Sequence, residues 1–545
     1  MNSFDELLVK IGSLGWFQIR LYMLVCLVSF GGSLVTFAQV FIGGTNDHWC
    51  KVDHWGNDNC SQFVITTEKQ CSELKRNLST VMSVVLEAKD LDSHCVKYNL
   101  TGIKLTSAFE NHHLLKYLDV IPCDQGWNFD RSEYRSTITE DWELVCGQSS
   151  STNILQSVTF AGRLAGCILF GYLADRIGRR YTITVSTVLT GFVCVLCAAS
   201  PNVIIFGILR FIVDGLAYGT TLVCFVLGTE VILPEIRVYF GVILWFCFAL
   251  GYFVVAAVGR YIENWRIQLL LFAIPYFAAI PFLFFLTESP RWLLSKRNYY
   301  KAEKAIKKIA IVNGKYPPAA FMTKLREVKE DTKRNVAYCD MFRHRTLTYY
   351  MINLMYNWFV QSFVYYGLSL GTSNLGVNIY VAFCISGAVE IPSYVTSIFT
   401  MKYLGRKLSS GILMILAGLS CFATIPAPLG PVRATFAMIG KFAIAASFSN
   451  IYVHTAEILP TPLRTLGVGS CSIAARVGGI MAPLVLVLEN IWGPLPLVLF
   501  ASSSVLAGVL IFLLPETRGK AMPDTIADTL ALKTPMKHPS SIQDA

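Results

Sequence analysis

Charge is scarce in this chain: only 15% of its 545 residues are Asp, Glu, Lys or Arg, against 54% hydrophobic residues. A soluble chain of that length needs charge to cover its surface, so the composition argues against several soluble domains and for a chain embedded in a bilayer. The phosphate-binding pattern Gly-x4-Gly-Lys-Ser/Thr is missing, which argues against ATP-driven pumping. Neither a metal-ligand cluster nor a nucleophile constellation stands out, so no enzyme and no cofactor is expected. A basic stub before a short apolar run is missing too. Met1–Arg20 is amphipathic, and the first apolar span is read as its own membrane signal. The net charge of +10 fits loops at an anionic membrane leaflet better than nucleic-acid binding.

What the chain does have is apolar runs of about 20 residues, the length that crosses a hydrocarbon core about 30 Å thick. Twelve are predicted, near 21–42, 153–174, 181–200, 202–226, 238–259, 267–286, 347–370, 378–401, 409–425, 432–453, 466–488 and 494–514. Two long polar segments interrupt them. Residues 43–150 hold 10 Lys/Arg against 16 Asp/Glu, and residues 287–346 hold 15 against 6. Basic loops stay cytoplasmic, so 287–346 is expected inside. Five spans separate the two segments, which puts 43–150 outside. The chain thus divides into a cytoplasmic N-terminus (1–20), a first half (21–286), a basic cytoplasmic loop (287–346), a second half (347–514) and a cytoplasmic tail (515–545).

The outer loop carries six cysteines, Cys50, Cys60, Cys71, Cys95, Cys123 and Cys146, an even set that suggests three disulfides in an oxidising compartment. Fifteen connectivities are open. The loop also contains three glycosylation sequons, at Asn59, Asn77 and Asn99. The other ten cysteines lie mostly inside spans, where packing is the usual use.

An internal repeat organises the spans. Gly178 of Asp175-Arg-Ile-Gly178-Arg179 is matched by Gly405 of Gly405-Arg406, 227 residues on. Glu230…Pro234…Arg237 is matched by Glu457…Pro460…Arg464, with both glutamates and both arginines again 227 apart. Glu288-Ser-Pro-Arg291-Trp is matched by Pro515-Glu516-Thr-Arg518, the glutamates 228 apart. The landmarks imply two six-span halves. Basic turns with glycine allow tight cytoplasmic reversals, and carboxylates at helix ends can pair bidentately with guanidinium groups of neighbouring helices. Asp175, Arg179, Glu230, Arg237, Glu288, Arg291, Arg406, Glu457 and Arg464 are the expected gating set; the alternative is that each only anchors a helix end.

These residues resemble the major facilitator superfamily across essentially the whole chain. The cysteine-rich first loop, Glu288-Ser-Pro-Arg-Trp-Leu293 and the closing Pro-Glu-Thr-x-Gly pattern are similar to the solute carrier family of organic cation, organic anion and carnitine transporters. Phe225–Glu230, Gly367-Leu-Ser-Leu, Ala388–Pro392, Gly440-Lys-Phe442 and Val453–Glu457 look most like its carnitine/ergothioneine-type branch. The resemblance implies an all-α membrane fold of twelve transmembrane helices in two pseudo-symmetric halves, working by alternating access at the plasma membrane. Arg163 and Asp214 depart from the family pattern. Sodium coupling, implied for carnitine carriers, finds no assignable site here.

Ionisable residues inside spans cost about 3 kcal/mol on insertion scales and so face a cavity or a partner. Arg163, Arg210, Asp214, Glu390, Lys441 and Arg476 are the candidates. The family implies an acidic group at Glu390 in cation and carnitine carriers, and a basic one at Arg476 in anion and carnitine carriers. One of each suits a zwitterion. The competing reading pairs them internally, Glu390 with Lys441 for instance. Arg210 and Asp214, four apart on one helix, are expected to pair; Arg163 is left open. Aromatic candidates for a cation–π cavity are Trp358 and Tyr365, with Ser362 on the same face, and Trp245, Phe248 and Tyr252 on the fifth span. The family implies a site at Tyr365-Tyr366, and Gln39 is a further polar candidate. Tyr349 and Tyr350, at a helix end, read as interfacial. The sequence therefore favours a transporter of small organic cations or zwitterions. An organic anion transporter and a non-transporting sensor of the same fold are the alternatives, and assembly into a homo-oligomer is left open.

Overall fold

The computed structural model describes residues 3–12, 14–52, 73–74, 76–77, 94–101, 103–110, 117–317, 321, 343–520, 523 and 526–531. Among them are twelve long helices: α1 Trp16–Ile42, α2 Ser151–Ile177, α3 Arg179–Ala198, α4 Val203–Glu230, α5 Pro234–Tyr261, α6 Trp265–Phe285, α7 Arg345–Leu370, α8 Ile379–Tyr403, α9 Arg406–Thr424, α10 Pro431–Ile458, α11 Thr461–Leu486 and α12 Leu495–Ile511. Each matches one predicted span. Ten are long and apolar enough to cross a membrane by length and composition; α12 is apolar but has 17 residues. The polar outlier is α7, which carries Asn353, Asn357 and Gln361, all buried.

Local chemistry sets the helix ends. Asn202 caps α4 by accepting from the Ile205 N–H at 2.9 Å, and Asn378 caps α8 by accepting from the Tyr380 N–H at 3.1 Å. Proline opens α5 and α10 at the first turn, where its missing N–H costs nothing. The amphipathic start forms a short helix, Ser3–Ile11, that buries Leu7, Leu8 and Ile11. In the basic segment, the helix Tyr299–Val312 ends at Asn313, whose side-chain amide donates to the Ile11 carbonyl at 3.1 Å.

The chain packs as two compact units. The smaller comprises Val40–Thr152 with Glu263–Trp265. It contains two antiparallel ladders, β1 (His48–Cys50) with β4 (Trp127–Phe129) and β2 (Val96–Tyr98) with β3 (Val120–Pro122). Its core is small: Val52, Val96, Tyr98, Leu100, Leu105 and Ala108. Cores of that size need covalent staples. Two are formed, Cys50–Cys123 and Cys95–Cys146, while the other two cysteines of the expected three-disulfide set, Cys60 and Cys71, lie outside the described residues. Buried Lys97 is neutralised by Asp124 at 2.6 Å, and the ammonium beside it holds the Asp124 carboxyl below its usual range. Asn77 and Asn99 are exposed, as a glycan acceptor must be; Asn59 lies outside the described residues.

The larger unit holds both helical halves. Close crossings depend on glycine at few places, one of them decisive. On α2, Gly162 and Gly166 face α4 so tightly that a Cβ at Gly166 would come within 2.6 Å of the Gly215 backbone. Two glycines four apart are the usual means of bringing membrane helices into backbone contact.

Candidate solute site between the two halves

The charged landmarks of the repeat form two matching clusters at corresponding helix ends. In the first half, Arg179 Nη2 lies 3.2 Å from Glu230 Oε1 and 2.9 Å from Asp175 Oδ1. Glu288 accepts from the Arg179 backbone N–H at 2.9 Å, and Arg291 donates to the Glu230 carbonyl at 2.9 Å. In the second half, Arg406 Nη2 lies 2.9 Å from Glu457 Oε1, and Glu516 accepts from the backbone N–H groups of Arg406 (3.0 Å) and Lys407 (3.1 Å). Gly178 and Gly405 cap α3 and α9 with φ of 107° and 86°. A Cβ at either position would also press on the Glu288 or Glu516 carboxyl carbon, at 3.0 and 2.9 Å, so glycine serves both the turn and the carboxylate beside it. Arg464 donates to the Leu459 carbonyl at 3.3 Å, and the Arg237 side chain lies outside the described residues.

One expectation changes here: the arginine–glutamate contacts are made through one nitrogen rather than bidentately, and each lies within its own half. In this structure they brace each half; they do not bridge the halves.

Glu516 offers a direct check of that bracing. Burial would raise its pKa, but backbone N–H donors from Arg518, Arg406, Lys407 and Thr517 outweigh it and hold the carboxyl below its usual range. A depressed carboxyl stabilises the fold above the ordinary glutamate pKa, and that contribution is lost as pH falls through the depressed value. Glu516→Gln is therefore expected to cost about 2 kcal/mol, the scale of hydrogen bonds to a charged group. The midpoint difference from the parent in detergent thermal-shift assays should be present at pH 7 and shrink at acid pH. An equal difference at both would disprove the assignment.

Toward the middle of the helices the residues meet in two networks. In the second half, Lys441 Nζ lies 3.0 Å from Glu390 Oε1, both side chains almost wholly buried. Tyr365 donates to Glu390 Oε1 at 2.6 Å and Tyr394 to Oε2 at 3.2 Å. Lys441 also bonds Ser369 Oγ and Tyr252 Oη (3.3 Å), and sits 3.4 Å from the centroid of the Tyr365 ring. Pro392, inside α8, has no N–H to bond the Ala388 carbonyl one turn earlier.

In the first half, Arg163 grips Asp214 with two nitrogens, Nε to Oδ2 at 2.9 Å and Nη2 to Oδ1 at 3.1 Å. It also donates to Thr36 Oγ1 at 2.6 Å and to Tyr366 Oη, across the halves, at 2.7 Å. The expected Arg210–Asp214 pair is not formed: Arg210 donates instead to the Val35 carbonyl at 2.9 Å. Spacing along one helix suggested that pair, but the glycine-lined crossing of α2 and α4 brings a better-placed guanidinium to the carboxylate.

Arg476 differs from Arg163 and Lys441. It donates to Tyr218 Oη at 2.7 Å and to the Ser472 carbonyl at 3.5 Å, and it also meets Tyr452. Among the described residues no carboxylate pairs with it. Tyr218, Tyr366 and Tyr452 are half-buried near it, and half-buried Phe448 packs 5.6 Å from the Tyr452 ring.

Of the aromatic candidates, Tyr366 belongs to the first-half network and Tyr365 to the second-half one, which Tyr252 joins through a 3.1 Å contact with Tyr365 Oη. Trp245 packs 6.2 Å from Tyr394. Trp358 takes part in neither network. It is wholly buried, bonded to Thr455 at 2.9 Å, with its ring 4.2 Å behind Tyr452. Gln39 is buried, and its amide has no protein partner among the described residues. Tyr350, expected at the interface, is wholly buried, whereas Tyr349 is exposed.

Tyr218, Tyr394, Tyr452 and Ser369 are absent from the sequence-based site. One signal was available for the rest: Arg163 and Asp214 precede Glu390 and Lys441 by the same 227 residues as the outer landmarks.

Comparison with known proteins gives a consistent picture. The family described as "Sugar (and other) transporter" matches residues 101–525. The chain is 31% identical to solute carrier family 22 member 3 of Rattus norvegicus, over 99% of its own length and 97% of that protein's. It is 32% identical to the organic cation transporter protein of Drosophila melanogaster, over 96% and 94%. Among solved structures it is similar to the inward open conformation of the xylose transporter XylE from E. coli, with TM-score 0.59, 17% identity and coverage of 94% and 99%. That likeness concerns the fold alone.

Proposed function

This chain belongs to the sugar (and other) transporter family and, within it, to solute carrier family 22, and from that premise we propose that it carries small organic anions across the plasma membrane by alternating access. As a member it is a multi-pass membrane transporter of organic solutes and not an enzyme; the choice of anion, the membrane and the mechanism are our reading.

One observation carries it: Arg476 reaches Tyr218 of the other half with only neutral oxygen partners among the described residues, whereas Arg210, which also lacks a carboxylate, is buried within the first half against the Val35 carbonyl, and Glu390 is already neutralised by Lys441 at 3.0 Å. A solute carboxylate would complete the charge balance at Arg476, with the half-buried rings of Tyr218, Tyr366 and Tyr452 covering its apolar body. An ammonium has no such opening, because Lys441 occupies the position over the Tyr365 ring where it would sit. This reverses the preference for cations or zwitterions that Glu390 suggests when its partner is unknown. The cation or zwitterion reading, which includes a carnitine-like solute and sodium coupling, keeps one point in favour of its cation form: a relative 32% identical is an organic cation transporter protein.

Uptake into expressing cells or proteoliposomes of labelled para-aminohippurate, tetraethylammonium and carnitine, with and without sodium, tests the proposal. Saturable para-aminohippurate uptake is expected, at least tenfold above the other two. Tetraethylammonium or sodium-dependent carnitine uptake without para-aminohippurate uptake would overturn it.

A further inference from the structure

The two buried ion pairs are repeat mates with their charges exchanged. Arg163 on α2 corresponds to Glu390 on α8, and Asp214 on α4 to Lys441 on α10, each 227 residues on. The register is that of Arg179/Arg406 and Glu230/Glu457, but those outer pairs keep their signs. The inner ones invert them. Within each pair the partners are 51 residues apart, in contact and buried, so each half carries a neutral dipole of opposite sense at the same place in its fold.

Both cations reach across to a tyrosine of the other half, Arg163 to Tyr366 at 2.7 Å and Lys441 to Tyr252 at 3.3 Å. Only the first-half pair goes on to meet Arg476. The Tyr218 ring has two guanidinium groups near it, Arg163 Cζ at 4.9 Å and Arg476 Cζ at 4.8 Å from its centroid, and its hydroxyl accepts from Arg476. Two guanidinium groups sharing one ring repel unless one is neutralised. Asp214 does that for Arg163, and its two-nitrogen grip also fixes the plane against which the ring rests.

We propose that the Arg163–Asp214 pair is a positioning element for solute recognition, holding Tyr218 so that Arg476 presents its free edge to an anionic solute. Resting on the anion reading above, it gives a role to a costly buried pair. Arg163 does not touch the solute in this scheme; it acts through Tyr218 and Tyr366.

The test replaces the pair by apolar residues, Arg163→Met with Asp214→Leu, in the full-length transporter. Such replacements of buried pairs are commonly neutral or stabilising, so the variant should reach the membrane. The KM for para-aminohippurate is expected to rise about tenfold, with the maximal rate per surface transporter within twofold of the parent. In an Arg476→Ala background the same double change should have no further effect on residual uptake. A charge exchange, Arg163→Asp with Asp214→Arg, restores a neutral pair but moves the guanidinium to α4, and should keep the raised KM; Arg163→Lys should stay within threefold of the parent. A purely structural pair would lower surface expression or melting temperature and leave KM alone. Unchanged KM in both double variants at the surface overturns the positioning role, while an Arg476→Ala variant that transports normally overturns the anion reading and this proposal with it.

Discussion

Lys441→Met is expected to leave little folded transporter at the cell surface. The substitution strands Glu390, which is 0% exposed and keeps neutral hydroxyls, chiefly those of Tyr365 and Tyr394, to solvate its charge. Breaking a buried pair from one side costs about 3–5 kcal/mol, against a typical total stability of about 5–15 kcal/mol. Glu390→Gln should be milder, because a neutral amide can still accept from Tyr365 while Lys441 keeps Ser369, Tyr252 and the Tyr365 ring. Glu390→Gln combined with Lys441→Met should recover most of the loss. Surface biotinylation with thermal shift in detergent reads all three. The internal pairing would be refuted by a Lys441→Met variant as stable and abundant as the parent.

The second large effect is at Arg476. Arg476→Ala should lower para-aminohippurate kcat/KM by at least a hundredfold at unchanged surface expression. The variant removes the cation that, among the described residues, reaches the other half without a carboxylate partner, and losing one side of a desolvated, hydrogen-bonded charge pair costs about 2–5 kcal/mol. Unlike Lys441→Met it strands no opposite charge, since its partners are the Tyr218 and Tyr452 hydroxyls and a carbonyl, so folding should survive. Arg476→Lys keeps the charge but not the planar fork, and should fall between the two, about tenfold down. Concentration-dependent uptake normalised to surface protein decides it. Loss of uptake that follows loss of surface protein would mean a structural role only.

These contrasting outcomes follow from how charges are shared, and that is where sequence reading and structure part. Arg476 and Glu390 were legible as a basic and an acidic residue inside apolar spans. The Glu390–Lys441 pair was legible too, but only as one of two alternatives. Asp214 was assigned to Arg210 by helical spacing, which describes neighbours on one helix and says nothing of a second helix crossing at van der Waals distance. Gly162 and Gly166 make that crossing, and with it the Arg163 contact. Tyr218 was overlooked for the same reason. A single tyrosine in an apolar span carries no signal until the guanidinium groups near it are known.

The sequence by itself determined the twelve spans, the two halves, the 227-residue register and the glycine–arginine turns, because hydropathy and backbone conformation are properties of short stretches of chain. It also determined which ionisable residues lie in the membrane. Only the tertiary structure decided which of them remain available to a solute. Neutralisation requires two side chains from different helices to come within about 3 Å, and that is set by helix crossings whose angle and depth no periodicity encodes. Arg163, Asp214, Glu390 and Lys441 spend their charges on one another, and Arg476 keeps its own.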